Sequence, residues 1–151
     1  MKNFTNTPGS LPLISRILMA AIFLISGAGK LASPAMTIGY IGSVGLPFPV
    51  IGFSLAVAVE LGGGLLLILG LQSRITALAL AAFSVVTGLI FHHAIGDQNQ
   101  MFHLLKNIAA AGGLLQVVAF GAGAFSLDSY FSSKSARSAG TGKGARVLAN
   151  Q

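Results

Sequence analysis

The chain has 151 residues, of which 54% are hydrophobic and only 8% are charged, and its net charge is +6. Soluble domains carry roughly a quarter charged residues, so a chain this apolar cannot cover a water-facing surface, and its length allows one domain. No basic patch is interleaved with aromatic residues, which argues against nucleic acid as a partner. The absence of cysteine excludes disulfides, a cysteine-ligated iron–sulfur cluster and a thiol nucleophile.

Four apolar stretches dominate the chain, each close to the roughly 20 residues that cross a bilayer as a helix. They cover about residues 11–31, 48–71, 75–95 and 104–125. Connectors as short as Gln72-Ser73-Arg74 make consecutive helices antiparallel neighbours. The sequence therefore predicts an all-α fold, an antiparallel four-helix bundle integral to the membrane. The basic flank and apolar core of the first stretch also suit a signal peptide, and this second interpretation stays open here.

Charge placement predicts the orientation of the bundle. Four spans place both termini on one side, together with most basic residues: Lys2, Arg16, Arg74, Lys134, Arg137, Lys143 and Arg146. The other side keeps Lys30 and Lys106, so the positive-inside rule predicts cytoplasmic termini. The membrane domain then covers residues 11–130, between a short cytoplasmic tail at 1–10 and a tail at 131–151. The second tail is rich in Ser, Gly, Ala and basic residues and is predicted to be disordered.

The connector at residues 33–46 is too polar and glycine-rich to span the membrane. Met36, Tyr40, Ile41 and Val44 could line one face of a short helix at the interface, where the amphipathic ring of tyrosine is favoured. An ordinary loop is the open alternative.

Glu60 is the one acidic residue within the four apolar stretches. A carboxylate in hydrocarbon is costly, so an ionisable residue at this depth is by default a candidate for function. It shares an i+4 row with the small residues Gly52, Ala56 and Gly64, and small residues mark helix–helix contacts in membranes. Two interpretations stay open. Glu60 could handle protons, with a protonated carboxyl if no base is near, or it could pair with a base and fix the packing.

Comparable rows of small residues turn other polar side chains toward the same interior: Arg16, Lys30, His92, Lys106 and Asn107. Together with Glu60 they form the predicted polar site. For the bases near the span ends, snorkelling to the interface is the alternative. Neither Arg16 nor Lys30 is expected level with Glu60, so the partner of the acid stays undetermined.

Histidines and an acid cluster at the end of the third span: His92, His93, Asp97 and His103. These side chains could bind a divalent metal or move protons near neutral pH. Their spacing matches no strong ligand signature, and a bis-histidine haem needs histidines within the core, so no metal or haem is predicted. The alternative is a group of polar residues wetted at the interface.

Several motifs occur in the order and spacing of a known family. They are Arg16 with Ser26-Gly27-Ala28-Gly29-Lys30-Leu31, Gly45-Leu46-Pro47, Val59-Glu60-Leu61-Gly62-Gly63, Gly70-Leu71-Gln72-Ser73-Arg74, Leu104-Leu105-Lys106-Asn107 with Gly112-Gly113, and Ser126-Leu127-Asp128. Over about residues 11–130 the chain resembles the DoxX family of small four-helix membrane proteins. The charged positions that recur in that family correspond here to Arg16, Lys30, Glu60, Arg74 and Lys106.

The resemblance implies a multi-pass protein of the bacterial inner membrane with a link to redox chemistry. Relatives include the membrane subunit of a thiosulfate–quinone oxidoreductase and members associated with oxidative-stress complexes. Without cysteine or the soluble portion of such a system, this chain is not expected to oxidise thiosulfate alone. Besides lipid, the candidate partners are redox proteins and further copies of the chain. No cofactor is firmly predicted, and quinone is the candidate.

The leading prediction is therefore a membrane subunit of a quinone-linked redox or oxidative-stress complex, rather than a stand-alone enzyme. Glu60 would handle protons, and Lys30 and Lys106 would attract an anion or a quinone oxygen. Two alternatives are a small proton-coupled transporter, and a structural membrane anchor for partner proteins.

Overall fold

The protein is described here by a computed structural model that covers residues 9–135. Within that range the chain is helical, without β-strands, which confirms the predicted fold class. Four helices are long and apolar enough to cross a bilayer: Ser10–Ala32, Pro49–Leu69, Ser73–Phe91 and Gln98–Phe120. The structure describes part of each predicted tail: Ser10 belongs to the first helix, and residues 131–135 are helical. Apart from Gly9, the rest of both tails lies outside the described range.

Shorter helices join and extend these spans. The elements in chain order are α1 (Ser10–Ala32), α2 (Pro34–Ser43), α3 (Pro49–Val57), a π-helical turn (Ala58–Gly62), α4 (Gly63–Leu69), α5 (Ser73–Phe91), α6 (Gln98–Phe120) and α7 (127–135). The second span is thus α3 and α4 joined by the π-helical turn. We call the side where α1 begins the proximal side, and the side where α5 meets α6 the distal side.

The fourth span is displaced from its predicted position at 104–125. Helix α6 begins at Gln98 because Asp97 caps it, accepting a hydrogen bond of 2.9 Å from the backbone N–H of Gln100. It ends at Phe120 because Gly121 takes a φ of 80°, a conformation that favours glycine. The predicted start at residue 104 was wrong because it followed the apolar residues, whereas the polar first turn of α6 is also helical.

The core lies between α1, α4, α5 and α6. Its buried residues are Ala20, Phe23, Leu67, Ala77, Leu80, Ala81, Ala111, Leu114 and Val117. Two of them, Ala20 and Phe23, come from α1, which favours a permanent span over the signal-peptide interpretation. Close approach depends on small residues, as the sequence pattern predicts. A Cβ added at Gly63 would lie 2.8 Å from Leu80 Cδ2.

Residues 33–46 contain a short helix, α2, rather than an ordinary loop. Its Tyr40 ring lies 5.5 Å from the ring of Phe91, and the Tyr40 hydroxyl donates to the Phe91 carbonyl at 3.2 Å. Ile41 is buried, whereas Met36 is exposed. The helix therefore packs mainly against α3, and Tyr40 also reaches the distal end of α5.

Arg16 closes the proximal end of the bundle. Its guanidinium is buried and donates to the carbonyls of Leu67 at 2.9 Å and Ile68 at 2.8 Å, and also to that of Phe125. The last carbonyls of a helix have no partner within the helix, so Arg16 caps the end of α4. Gly70 leaves room for the guanidinium, because a Cβ there would lie 2.5 Å from Arg16 Nη1. Its φ of 64° also favours glycine.

Asp128 caps the start of α5 from the far end of the chain. Its carboxylate accepts from the backbone N–H of Gln72 at 2.7 Å and of Ser73 at 2.9 Å, and from the Ser73 hydroxyl. Burial alone would raise the pKa of Asp128, but the hydrogen bonds from Ser73 and Gln72 and the charge of Arg16 together hold that pKa below its ordinary value. The two caps tie α7, α5 and the α4 end together.

Candidate functional site

A buried ion pair joins α1 to the middle of the second span. Lys30 Nζ lies 2.8 Å from Glu60 Oε1 and 2.7 Å from Oε2. The hydroxyl of Ser26 lies 2.8 Å from the same ammonium and donates to Glu60 Oε1 at 3.1 Å. The Glu60 side chain is 7% exposed and that of Lys30 is 24% exposed. A base is therefore present, and the condition for an unpaired, protonated carboxyl is not met.

Helix direction explains why Lys30 reaches Glu60. Side chains lean toward the N-terminus of their own helix. Helix α1 and the second span run in opposite directions. Lys30 therefore leans from the distal side toward the bilayer middle, and Glu60 leans from the middle toward the distal side, so the two side chains approach each other. The long lysine stem covers the remaining gap.

Glu60 also stands at the centre of the π-helical turn Ala58–Gly62. Such turns widen an α-helix locally and occur often at functional sites. Gly27 of α1 faces the turn, and a Cβ there would lie 2.8 Å from Leu61 Cδ2 and 3.2 Å from Glu60 Cβ. A larger residue at this position would displace Leu61, so the glycine favours the close approach of α1 to the acid.

A cavity of about 350 Å³ adjoins the ion pair. Its polar lining comes from α1, the π-helical turn, α5 and α6: Ser26, Glu60, Ser84, Thr87, Lys106 and Asn107. Its apolar lining is Ile22, Phe23, Ile25 and Phe83. Ile22 and Ile25 are also exposed on the lipid-facing surface of α1. The cavity thus lies between a polar interior and the acyl chains.

Ser84 carries an unused hydroxyl beside this cavity. The residue is 1% exposed, and its Oγ is the one buried side-chain polar atom without a hydrogen-bond partner in the described range. Thr87, one turn later, instead donates to the carbonyl of Phe83 at 2.7 Å. Buried polar atoms are nearly always bonded, so the Ser84 hydroxyl is available to a polar group that enters the cavity.

The predicted site residues fall into three groups. Lys30, Glu60, Lys106 and Asn107 surround or adjoin the cavity, whereas Arg16 serves the proximal cap described above. His92 lies beyond the cavity, with Nδ1 2.8 Å from Gln100 Oε1.

The remaining polar residues at the distal end do not converge on a metal. Asp97 caps α6, and His93 Nδ1 lies 3.0 Å from the Ile90 carbonyl. Within residues 9–135 no three His, Asp or Glu side chains form a group that could hold a metal ion.

Sequence reasoning missed Ser26, Ser84 and Thr87. Ser26 lies four residues before Lys30, a spacing that places both on one face of α1. Ser84 stands in the small-residue row of the third span, where a hydroxyl looks like any other small side chain. The signal that could have identified Ser26 and Ser84 is a hydroxyl in the middle of a span, on the helix face that carries other polar residues.

Taken together, the cavity offers hydrogen-bond donors, one titratable acid and an excess positive charge. The charges of Lys30 and Glu60 offset one another, and Lys106 adds a further cation. Asn107 and Ser84 supply neutral donors. The arrangement suits a small molecule with electron-rich oxygen atoms and an apolar body.

Comparison with known proteins agrees with this architecture. The DoxX family model matches residues 11–93, from α1 to the end of α5. Inner membrane protein YqjF of Escherichia coli (strain K12) is 35% identical over 124 residues, which cover 81% of this chain and 92% of YqjF. Inner membrane protein YphA of the same organism is 34% identical over 123 residues, which cover 77% of this chain and 86% of YphA. No solved structure matches the chain.

The matched residues contain the ion pair of Lys30 and Glu60 together with Ser26 and Ser84. Both relatives are named as inner membrane proteins, and four apolar helices fit a multi-pass protein of that membrane. The predicted localisation is thereby confirmed. The extent of the family match and the two relatives show that this chain belongs to the DoxX family.

Proposed function

We propose that the chain is the membrane subunit of a quinone-linked redox system, and that the cavity beside Lys30 and Glu60 binds the quinone head group. The observation that carries the proposal is a cavity that combines a buried ion pair, an unused hydroxyl on Ser84 and an opening lined by lipid-facing residues. Its volume of about 350 Å³ lies within the range of small-molecule pockets.

The lining supports a quinone on chemical grounds. Each quinone oxygen accepts hydrogen bonds, and Lys106, Asn107 and Ser84 are donors. Phe23 and Phe83 supply apolar and aromatic surface for the ring. An isoprenoid tail could leave past Ile22 and Ile25 into the acyl chains.

Proton handling is the role proposed for Glu60. Reduction of a quinone to a hydroquinone takes up two electrons and two protons. The electrons would come from a redox partner protein, since side chains of this kind do not supply them. Glu60 would first take up a proton and then pass it to the ring oxygen, and Lys30 would stabilise the carboxylate that is left.

The test is quinone binding by the purified protein in nanodiscs, with a short-tailed quinone as the probe. We expect Ser84→Ala to weaken binding about fivefold, the effect of one hydrogen bond of about 1 kcal/mol. Ser54→Ala is the matched control, because the exposed Ser54 hydroxyl bonds to its own helix at the Val50 carbonyl. A wild-type protein that retains no quinone would refute the proposal, as would equal affinities of the two variants.

Glu60→Gln separates proton handling from binding. The amide keeps the shape of the side chain and removes its titration, so we expect quinone to remain bound while the pH dependence of its reduction by the partner system disappears. An unchanged pH dependence would exclude the protonic role of Glu60.

The ion pair within the π-helical turn also favours a second function, a proton-coupled transporter. Protonation of Glu60 would release Lys30, and a π-helical turn is a local distortion that can rearrange. Solute flux in proteoliposomes that requires a proton gradient and disappears in Glu60→Gln would favour this function over the first. A structural anchor predicts instead that Glu60→Gln alters partner assembly without changing either flux or turnover.

A further inference from the structure

Polar side chains continue from the cavity to the distal end of the bundle. Lys106 lines the cavity, and its ammonium lies 3.3 Å from His103 Nδ1. The His103 ring stacks on the His92 ring with centroids 4.9 Å apart. His92 Nδ1 lies 2.8 Å from Gln100 Oε1. The proposed function does not use the two histidines, although one of them touches a residue of its site.

Helix geometry brings these groups together. His103 and Lys106 are three residues apart on α6, a spacing that makes them neighbours on one face. His92 follows the last residue of α5, where the turn to α6 begins. Because α5 and α6 lie side by side, the His92 ring at the end of α5 lies against the His103 ring on α6.

The hydrogen bonds define which ring nitrogens can exchange protons. An ammonium can only donate, so His103 Nδ1 accepts from Lys106 and its proton sits on Nε2. An amide oxygen can only accept, so His92 Nδ1 donates to Gln100 and its Nε2 has a free lone pair. Each ring is thus held through its Nδ1, and its Nε2 makes no hydrogen bond to the residues that the structure describes.

We infer that Lys106, His103 and His92 form the route along which protons pass between the distal surface and the cavity that Glu60 lines. Lys106 gives a proton to an acceptor in the cavity, and the neutral amine that remains is reprotonated by a doubly protonated His103. The inference deepens the proposed function and rests on it. For each quinone reduced, two electrons arrive from the redox partner and two protons enter along this route, which balances the hydroquinone formed. Imidazole is suited to the task because it gains and loses a proton near neutral pH.

The charged and titratable groups facing His103 are Lys106 on its own helix and His92 at the end of α5. Lys30 and Glu60 stand at the cavity end of the route. His93 points elsewhere, toward the Ile90 carbonyl, and is exposed. It is therefore a matched control with the same chemistry beside the route.

The test follows the arrival of protons at Glu60 after an acid jump, by time-resolved infrared spectroscopy of the full chain in nanodiscs. The Glu60 carboxylate band is identified by its loss in Glu60→Gln. We expect His103→Gln and His92→Gln to slow protonation at least tenfold, and His93→Gln to leave it unchanged. Added imidazole should restore the rate in the first two variants, which a merely structural defect would not allow. Equal rates in all three variants, or a defect that imidazole does not relieve, would overturn the inference.

This assay requires no quinone, so the two proposals can fail separately. Wild-type protein that binds no quinone, yet shows histidine-dependent protonation of Glu60, would refute the proposed function and retain the route. Protein that binds quinone normally, with protonation independent of both histidines, would retain the function and refute the route.

Discussion

Replacing Lys30 by methionine should destabilise the bundle because it leaves Glu60 buried without its counter-ion. Both carboxylate oxygens of Glu60 lie within 2.8 Å of the ammonium, and the acid is 7% exposed. At an effective dielectric constant of about 20, two unit charges this close attract by about 6 kcal/mol before desolvation is counted. Desolvation cancels much of this, and removal of one partner of a buried pair typically costs about 3–5 kcal/mol.

Because Lys30 is 24% exposed, we expect Lys30→Met to lower the free energy of unfolding by about 3 kcal/mol, at the lower end of that range. The double variant Lys30→Met/Glu60→Gln should be less destabilised than the sum of the single variants. The expected coupling energy is about 2 kcal/mol.

The assay is reversible unfolding of the four variants of this cycle in mixed micelles, followed by helix content. Ser26→Ala in the wild-type background separates the hydroxyl bond from the ion pair. Strictly additive effects of the two substitutions would refute the reasoning, since they would show that the two charges do not interact in the folded protein.

Three further predictions concern the proximal end. Gly70→Ala should lower the free energy of unfolding by about 2–3 kcal/mol, because φ is 64° and the new Cβ would lie 2.5 Å from both Arg16 Nη1 and Ser126 Cβ. The control is Gly112→Ala, which has open space around it and should be neutral or slightly stabilising in the same assay. Arg16→Lys should cost about 2 kcal/mol, because one ammonium cannot replace the planar fork on three carbonyls; wild-type stability would contradict the capping role. Asp128→Asn should cost about 1–2 kcal/mol at neutral pH. The folded pKa of Asp128 is depressed, so its stabilisation is present above the ordinary value of 3.8 and is lost as pH falls below it; unfolding titrations should show this acid loss in wild type and not in the variant.

Much of the candidate site could be predicted from the residues alone. A single acid among four apolar stretches identified Glu60, and rows of small residues identified the helix faces that carry Lys30, Lys106 and Asn107. The same pattern placed Arg16 with them, although its side chain turns to the proximal end. Arg16 and Lys30 both lean toward the start of α1, so Arg16 leans away from the middle of the bundle and Lys30 leans toward it. Spacing along a helix face does not record this difference.

Composition and periodicity determined the solvent and the fold class. Apolar stretches of about 20 residues have one stable form in hydrocarbon, the helix, because every backbone polar group must be bonded within the segment. Which residues meet between helices was decided by the tertiary structure. The pairing of Glu60 with Lys30, the unused hydroxyl of Ser84 and the stacking of His92 on His103 depend on the relative depth and rotation of α1, α5 and α6. Close packing of small residues sets both quantities, and a linear pattern does not record them.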